Sequence, residues 1–110
     1  MRRSLEASWI EPVGPNPPPT ACDSLQTLRV SPLTFDVLSR RDATGVAVSE
    51  SEIATAQRWV AEKLRLVIEP GGAVGLAAVL AGKVKLEPGL LVILSGGNVD
   101  LAAYAKAIAA

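Results

Sequence analysis

Two apolar runs, each ending in a glycine turn, constrain this chain more than any other feature. Leu66-Val67-Ile68 leads into Glu69-Pro70-Gly71-Gly72-Ala73, and Leu90 to Leu94 leads into Ser95-Gly96-Gly97-Asn98. An unbroken apolar run has no polar face to offer water, so it fits a strand covered on both sides. Each glycine turn then opens a helix, with Pro70 at a first helical position and Asn98 where a cap would sit. The carboxyl end of such a strand is where open α/β sheets hold ligands, because the N–H groups and positive dipole end of the next helix face outward. A helix simply capped after a core strand has the same spelling, and spacing alone leaves both readings open.

At 110 residues the chain is one domain at most, or a piece of one. Eleven basic and eleven acidic residues cancel and are interspersed. Nucleic acid and anionic membrane surfaces need a clustered positive face, so neither is an expected partner. A lone cysteine, Cys22, and no histidine leave no intrachain disulfide and no zinc constellation, which suits a reducing cytoplasm. Met1-Arg2-Arg3 is followed by no apolar region, and the uncharged stretch 70–82 is short and rich in glycine, so neither a signal peptide nor a membrane span is expected. Apolar residues make up 49% and charged residues 20%, below the roughly 25% charged of an average domain. A short chain has proportionally more surface to solvate, so the excess points to apolar residues that face a neighbour.

Taken in order, residues 2–8 form at most two helical turns that need support. Residues 12–19 hold five prolines, which strip out amide donors and impose an extended surface loop; a PxxP ligand has the same composition. Thr20 to Asp23 offer caps for a turn through Thr27. Pro32 opens a helix ending near Arg41, and 46–48 is a short strand. Ser49 with Glu52 has the spacing of a capping box, and Ile53, Ala56, Val60 and Leu64 form the apolar stripe of a helix reaching Leu64 or Arg65. Residues 66–68 are extended, and 70–81 form a helix whose glycines and alanines allow another backbone to come close, at about 0.8 to 1 kcal/mol per interior glycine. Glu87-Pro88-Gly89 is a turn, 90–94 the central buried strand, and 99–109 the last helix. There is no internal repeat.

The two motifs together, E-P-G-G-A-V-G-L-A-A at 69–78 and V-I-L-S-G-G-N-V-D at 92–100, resemble the closing segment of the serine/threonine dehydratase and serine racemase family. These are pyridoxal-phosphate (PLP) enzymes of the tryptophan synthase β type, fold type II. The likeness extends back through Thr20 to Leu25, Leu33-Thr34-Phe35 and Val46 to Glu52. It implies an α/β fold, specifically part of a doubly wound parallel sheet: the C-terminal part of such an enzyme's large domain, over residues 1–110.

The resemblance also implies roles. Ser95 would hydrogen-bond the pyridine nitrogen of the cofactor, and a neutral hydroxyl, unlike a carboxylate, does not keep that nitrogen protonated. Gly96 and Gly97 would leave the ring edge free, and Asn98 reads as a cap or turn residue. Glu69 would lie near the ring, although a carboxylate at a helix start is also explained by the dipole. Asp23, Ser24 and Thr27 match a loop near cofactor and substrate, with Ser24 standing where many relatives have glycine; a plain turn is the alternative. Arg65 matches a nucleotide-effector contact in racemase-like relatives, but a cation at a helix C-terminus needs no ligand.

The chain departs from the family pattern by absence. The serine-x-lysine-x-arginine-glycine type motif that carries the cofactor and the glycine run that cups its phosphate are not in the sequence; Lys63, Lys83, Lys85 and Lys106 lie in other contexts. The family's acidic metal ligands would lie upstream of Met1. The expectation is therefore a PLP-dependent ammonia-lyase by family, converting a β-hydroxy amino acid to a 2-oxo acid and ammonia. This chain would be a truncated part with no catalytic residue of its own, inactive alone and prone to self-associate, and the full-length form a homo-oligomer. Rival readings are a non-catalytic fragment or interaction module, a racemase-type enzyme, and a nucleotide-binding module, which would lack the G-x-G-x-x-G spacing.

Overall fold

The computed structural model describes residues 1–109 as two compact units, one of residues 1–19 and 24–47, the other of 20–23 and 48–109. In the first unit, helix α1 (Arg2–Ala7) packs on helix α2 (Pro32–Arg40). Six residues do not hold a helix by themselves. Here Ser8 closes α1 in the left-handed conformation, and the buried Ser4 hydroxyl accepts the Glu11 N–H at 3.0 Å. The Val13 N–H donates to the Leu28 carbonyl at 2.8 Å, which pins the start of the proline-rich loop. The expected strand at 46–48 is not formed; these residues carry no regular secondary structure.

The second unit carries the main core. Helix α3 (Glu50–Leu64) packs against helix α4 (Pro70–Leu80), with Ile53, Ala56 and Val60 meeting Ala73, Leu76 and Ala77 around Ile68 and Cys22. Helix α5 (Leu101–Ala109) lies on α3, where Tyr104 is buried and the Arg58 Nε donates to the Ile108 carbonyl at 2.8 Å. That bond places a guanidinium at the negative end of α5. No helix among the described residues is long and apolar enough to cross a membrane.

The capping box at the start of α3 forms in both directions: the Glu52 N–H donates to the Ser49 hydroxyl at 3.3 Å, and the Ser49 N–H to the Glu52 carboxylate at 2.6 Å. The same carboxylate takes the Lys83 ammonium at 2.7 Å, tying the loop after α4 to the start of α3. Lys83 and the Ser49 amide hold the Glu52 carboxyl below its ordinary range. A depressed carboxylate stabilises the fold above its unfolded pKa, and that contribution is lost as pH falls through the folded value. Ser49→Ala removes the hydroxyl that accepts the Glu52 N–H but keeps the Ser49 amide and Lys83 on the carboxylate, so it should lower the unfolding free energy by about 1 kcal/mol, measured by urea titration at neutral pH, while the acid-side loss of stability through Glu52 persists in the variant.

Three expectations need correction. First, the partial parallel sheet is not seen: among the described residues there is no strand. Residues 66–68 and 90–97 lie outside any helix or strand, and the Glu69 N–H donates to the Gly96 carbonyl at 3.1 Å, but no ladder follows. Second, 90–94 is not a buried strand. Val92 and Leu94 turn toward the core, whereas Leu91 and Ile93 are 83% and 73% exposed. Helices cover one face of this run and nothing covers the other, so a sequence suited to burial on both sides is buried on one. Leu64, Leu66 and Val67 are exposed for the same reason. Third, Asn98 does not cap the last helix; the Asp100 carboxylate does, accepting the Ala103 N–H at 2.8 Å.

Candidate functional site

The turn at 95–97 is built against the start of α4, and two glycines make that possible. A Cβ on Gly72 would fall 1.5 Å from the Ser95 carbonyl oxygen, so the turn rests directly on the helix backbone. Gly96 has φ +71°, a conformation that disfavours side chains, and a Cβ there would meet the Glu69 carboxylate at 1.9 Å. The Gly97 position lies against the Val67 carbonyl, at 3.1 Å from where its Cβ would be. The turn is thus fixed by backbone contact along residues 67–72.

Around it opens a hollow of about 260 Å³ lined by Val60, Leu66, Val67, Ile68 and Leu94 together with Ser95, Gly96 and Gly97. Its walls are apolar and Ser95 supplies the hydroxyl. Ser95 is exposed, and among the described residues its hydroxyl has no hydrogen-bond partner. Glu69 is partly buried at the N-cap position of α4, makes no side-chain cap bond, and lies against Gly96. Of the expected site residues, Ser95, Gly96, Gly97 and Glu69 therefore come together. They suit one side of a planar, mostly apolar group with a single polar atom, because the glycines leave its edge unobstructed while the hydroxyl can donate or accept.

Asp23 lines a second hollow of about 280 Å³ with Gln57, Pro70, Asn98, Asp100 and Tyr104 among its other walls. Ser24 and Thr27 are exposed residues of the first unit, Ser24 in a 3-10 turn. Arg65 closes α3 with φ +59° and is exposed. Burial pushes the Cys22 thiol up; the Thr20 hydroxyl opposes this while Glu50 and Asp23 add to it, so the thiol stays protonated near neutrality and is a core group. No group of three or more potential metal ligands occurs among the described residues.

Two residues lining the second hollow were not singled out from sequence. Gln57 is 3% exposed and donates to the Ile68 carbonyl at 2.9 Å, and the Tyr104 hydroxyl lies 3.5 Å from the Leu66 carbonyl. The signal for Gln57 was present: with Ile53, Ala56 and Val60 it completes the i, i+3, i+4, i+7 pattern of a buried helix face, where an amide must find a partner.

Comparison with known proteins fits this geometry. The family described as "Pyridoxal-phosphate dependent enzyme" matches residues 1–96. Serine racemase of Dictyostelium discoideum is 36% identical over 107 residues, covering 94% of this chain and 33% of that protein. L-threonine ammonia-lyase of Thermotoga maritima is 36% identical over 83 residues, covering 76% of this chain and 21% of the enzyme. Among solved structures, a threonine deaminase from T.th. superposes with a TM-score of 0.80 at 40% identity, over 91% of this chain and 36% of that one. Serine racemase from Dictyostelium discoideum gives 0.68 at 32% identity, over 91% and 32%. The chain spans between about a fifth and about a third of the length of these relatives. It belongs to the pyridoxal-phosphate dependent enzymes of fold type II, in the serine/threonine dehydratase and serine racemase family.

Proposed function

We propose that this chain forms the C-terminal part of the large domain of a PLP-dependent ammonia-lyase acting on a β-hydroxy amino acid, serine or threonine in type. The observation that carries the reading is the exposed hydroxyl of Ser95, unpartnered among the described residues, on a turn held rigidly by Gly72 and Gly96. When bound, pyridoxal phosphate supplies the electron sink for removal of the substrate's α-proton. The work of this chain is to seat the ring. Ser95 would hold the pyridine nitrogen with a neutral group, Gly96 and Gly97 would leave the ring edge clear, and the apolar wall of Val60, Val67, Ile68 and Leu94 would exclude water from one side. Glu69 stands behind Gly96 and holds the turn's outer surface. Asp23 stands in the second hollow, with the polar side chains of Asn98, Asp100 and Gln57, as the candidate substrate-loop contact; Ser24 and Thr27 lie in the first unit, and their part in that loop rests on the resemblance alone.

On this reading the lysine motif and the phosphate cup would lie in the part of such an enzyme that this chain does not span, since it covers 33% of the Dictyostelium discoideum serine racemase. The 110 residues alone should therefore show no visible-wavelength absorbance with pyridoxal phosphate and no ammonia release from serine or threonine. Mixed with a polypeptide carrying the upstream two thirds of a relative, they should show both. Absorbance or ammonia release from the chain alone contradicts the proposal. The uncovered Leu91 and Ile93 and the unpaired backbone beside them also support self-association of the isolated chain, since open edges recruit other chains. A racemase-type reaction is the second reading, favoured by the similarity to serine racemase, and chiral analysis of the serine recovered from the mixture separates the two.

A further inference from the structure

We propose that Gln57 is a positioning residue for the cofactor-facing turn, acting through the backbone of Ile68 and Glu69. Its role at the site rests on the reading of Ser95 given above. Gln57 is the buried polar residue of the α3 face, among Ile53, Ala56 and Val60, where an apolar side chain would pack without any demand for a partner. Burying an amide is favourable only if its hydrogen bonds are kept. Here the Nε2 donates to the Ile68 carbonyl at 2.9 Å, and Ile68 is itself 3% exposed. No sheet neighbour supplies a donor to this stretch among the described residues, so the side chain stands in for a ladder bond.

The next residue carries the effect onward. The Glu69 N–H donates to the Gly96 carbonyl at 3.1 Å, and Gly96 follows Ser95. The path from the α3 core to the ring-facing hydroxyl is therefore one side-chain bond, one peptide unit and one backbone bond. Gly72 seals it, because the Ser95 carbonyl sits against the α4 backbone and cannot move independently of Pro70 to Gly72. Loss of the Gln57 bond frees the carbonyl end of that path, and the turn shifts with it.

The test uses the full 110-residue chain and reads the backbone, not activity. Gln57→Met keeps the length and packing but removes the donor; Gln57→Asn keeps the amide but shortens its reach. Both should move the Ile68 carbonyl carbon and the Gly96 and Gly97 amide resonances. Both should also lower hydrogen-exchange protection of the Glu69 amide about tenfold, leaving α3 amides such as Val60 within about twofold. A residue that merely filled space would be replaced by Met with no change at Gly96. Unmoved Gly96 and Gly97 resonances overturn the inference, and so does a uniform loss of protection across α3 and α4, which would make Gln57 a global stabiliser. If the backbone responds as expected but Ser95→Ala leaves the cofactor spectrum of the mixed complex unchanged, the reading of Ser95 fails and the mechanical link stands.

Discussion

Gly72→Ala should unseat the 95–97 turn. The added methyl would lie 1.5 Å from the Ser95 carbonyl oxygen, which is backbone and cannot swing aside as a side-chain tip could. Alanine is intrinsically the better helix former by about 0.8 to 1 kcal/mol, so an isolated-helix view expects stabilisation. Overpacking against backbone typically costs about 1 to 3 kcal/mol, and at this separation the upper end applies, leaving a net loss of about 2 kcal/mol by denaturant titration. Relief requires Ser95 to move away from α4, which also breaks the Glu69 to Gly96 bond. In the mixed complex, displacement of a positioning group by about 1 Å costs about a hundredfold in turnover. An unchanged or raised midpoint with an unmoved Ser95 would mean that the turn does not rest on α4.

Gly96→Val should act by a different route. The backbone there has φ +71°, where a side chain costs about 1 to 2 kcal/mol and a β-branched one more. The obstructing atom is the Glu69 carboxylate at 1.9 Å, the end of a flexible side chain. Strain and collision can be separated. Gly96→Ala should lose about 1 to 2 kcal/mol for the backbone alone, plus the cost of evicting Glu69, and in a Glu69→Ala background the second part should vanish. A coupling of about 1 kcal/mol between the two sites is the expected result; strict additivity would show that Glu69 does not rest on Gly96.

Local features were legible in the sequence because each is decided within a few residues. The capping box of Ser49 and Glu52, Pro70 opening α4, and the turn at Pro88-Gly89 with Gly89 φ +86° all stand as the sequence implies. The meeting of Glu69 with Ser95, Gly96 and Gly97 was not legible from spacing; only the family resemblance placed all four near one cofactor ring. Neither was the sheet. Leu90 to Leu94 has the composition of a strand covered on both faces, and that composition reports the surroundings such a run is suited to. In this chain the Ile68 carbonyl accepts from Gln57 and the Glu69 N–H donates to Gly96, and Leu91 and Ile93 face outward. Asp100 displaced Asn98 as the cap because the helix begins later than the glycines suggest, with the Asp100 carboxylate three residues before the Ala103 amide. Gln57 escaped notice because a polar residue breaks the apolar stripe by letter, although its place on that stripe is what makes it informative.

The Ser95 hydroxyl, on this reading, meets the pyridine nitrogen of the cofactor as a neutral partner. The nitrogen-15 shift of ring-labelled pyridoxal phosphate tests this most directly, in the complex of this chain with the upstream two thirds of a relative. The wild-type chain should give the shift of an unprotonated, hydrogen-bonded ring nitrogen. Ser95→Asp should move it to the protonated value, and Ser95→Ala should remove the hydrogen-bond contribution. A ring nitrogen whose shift is the same in all three would contradict the assignment.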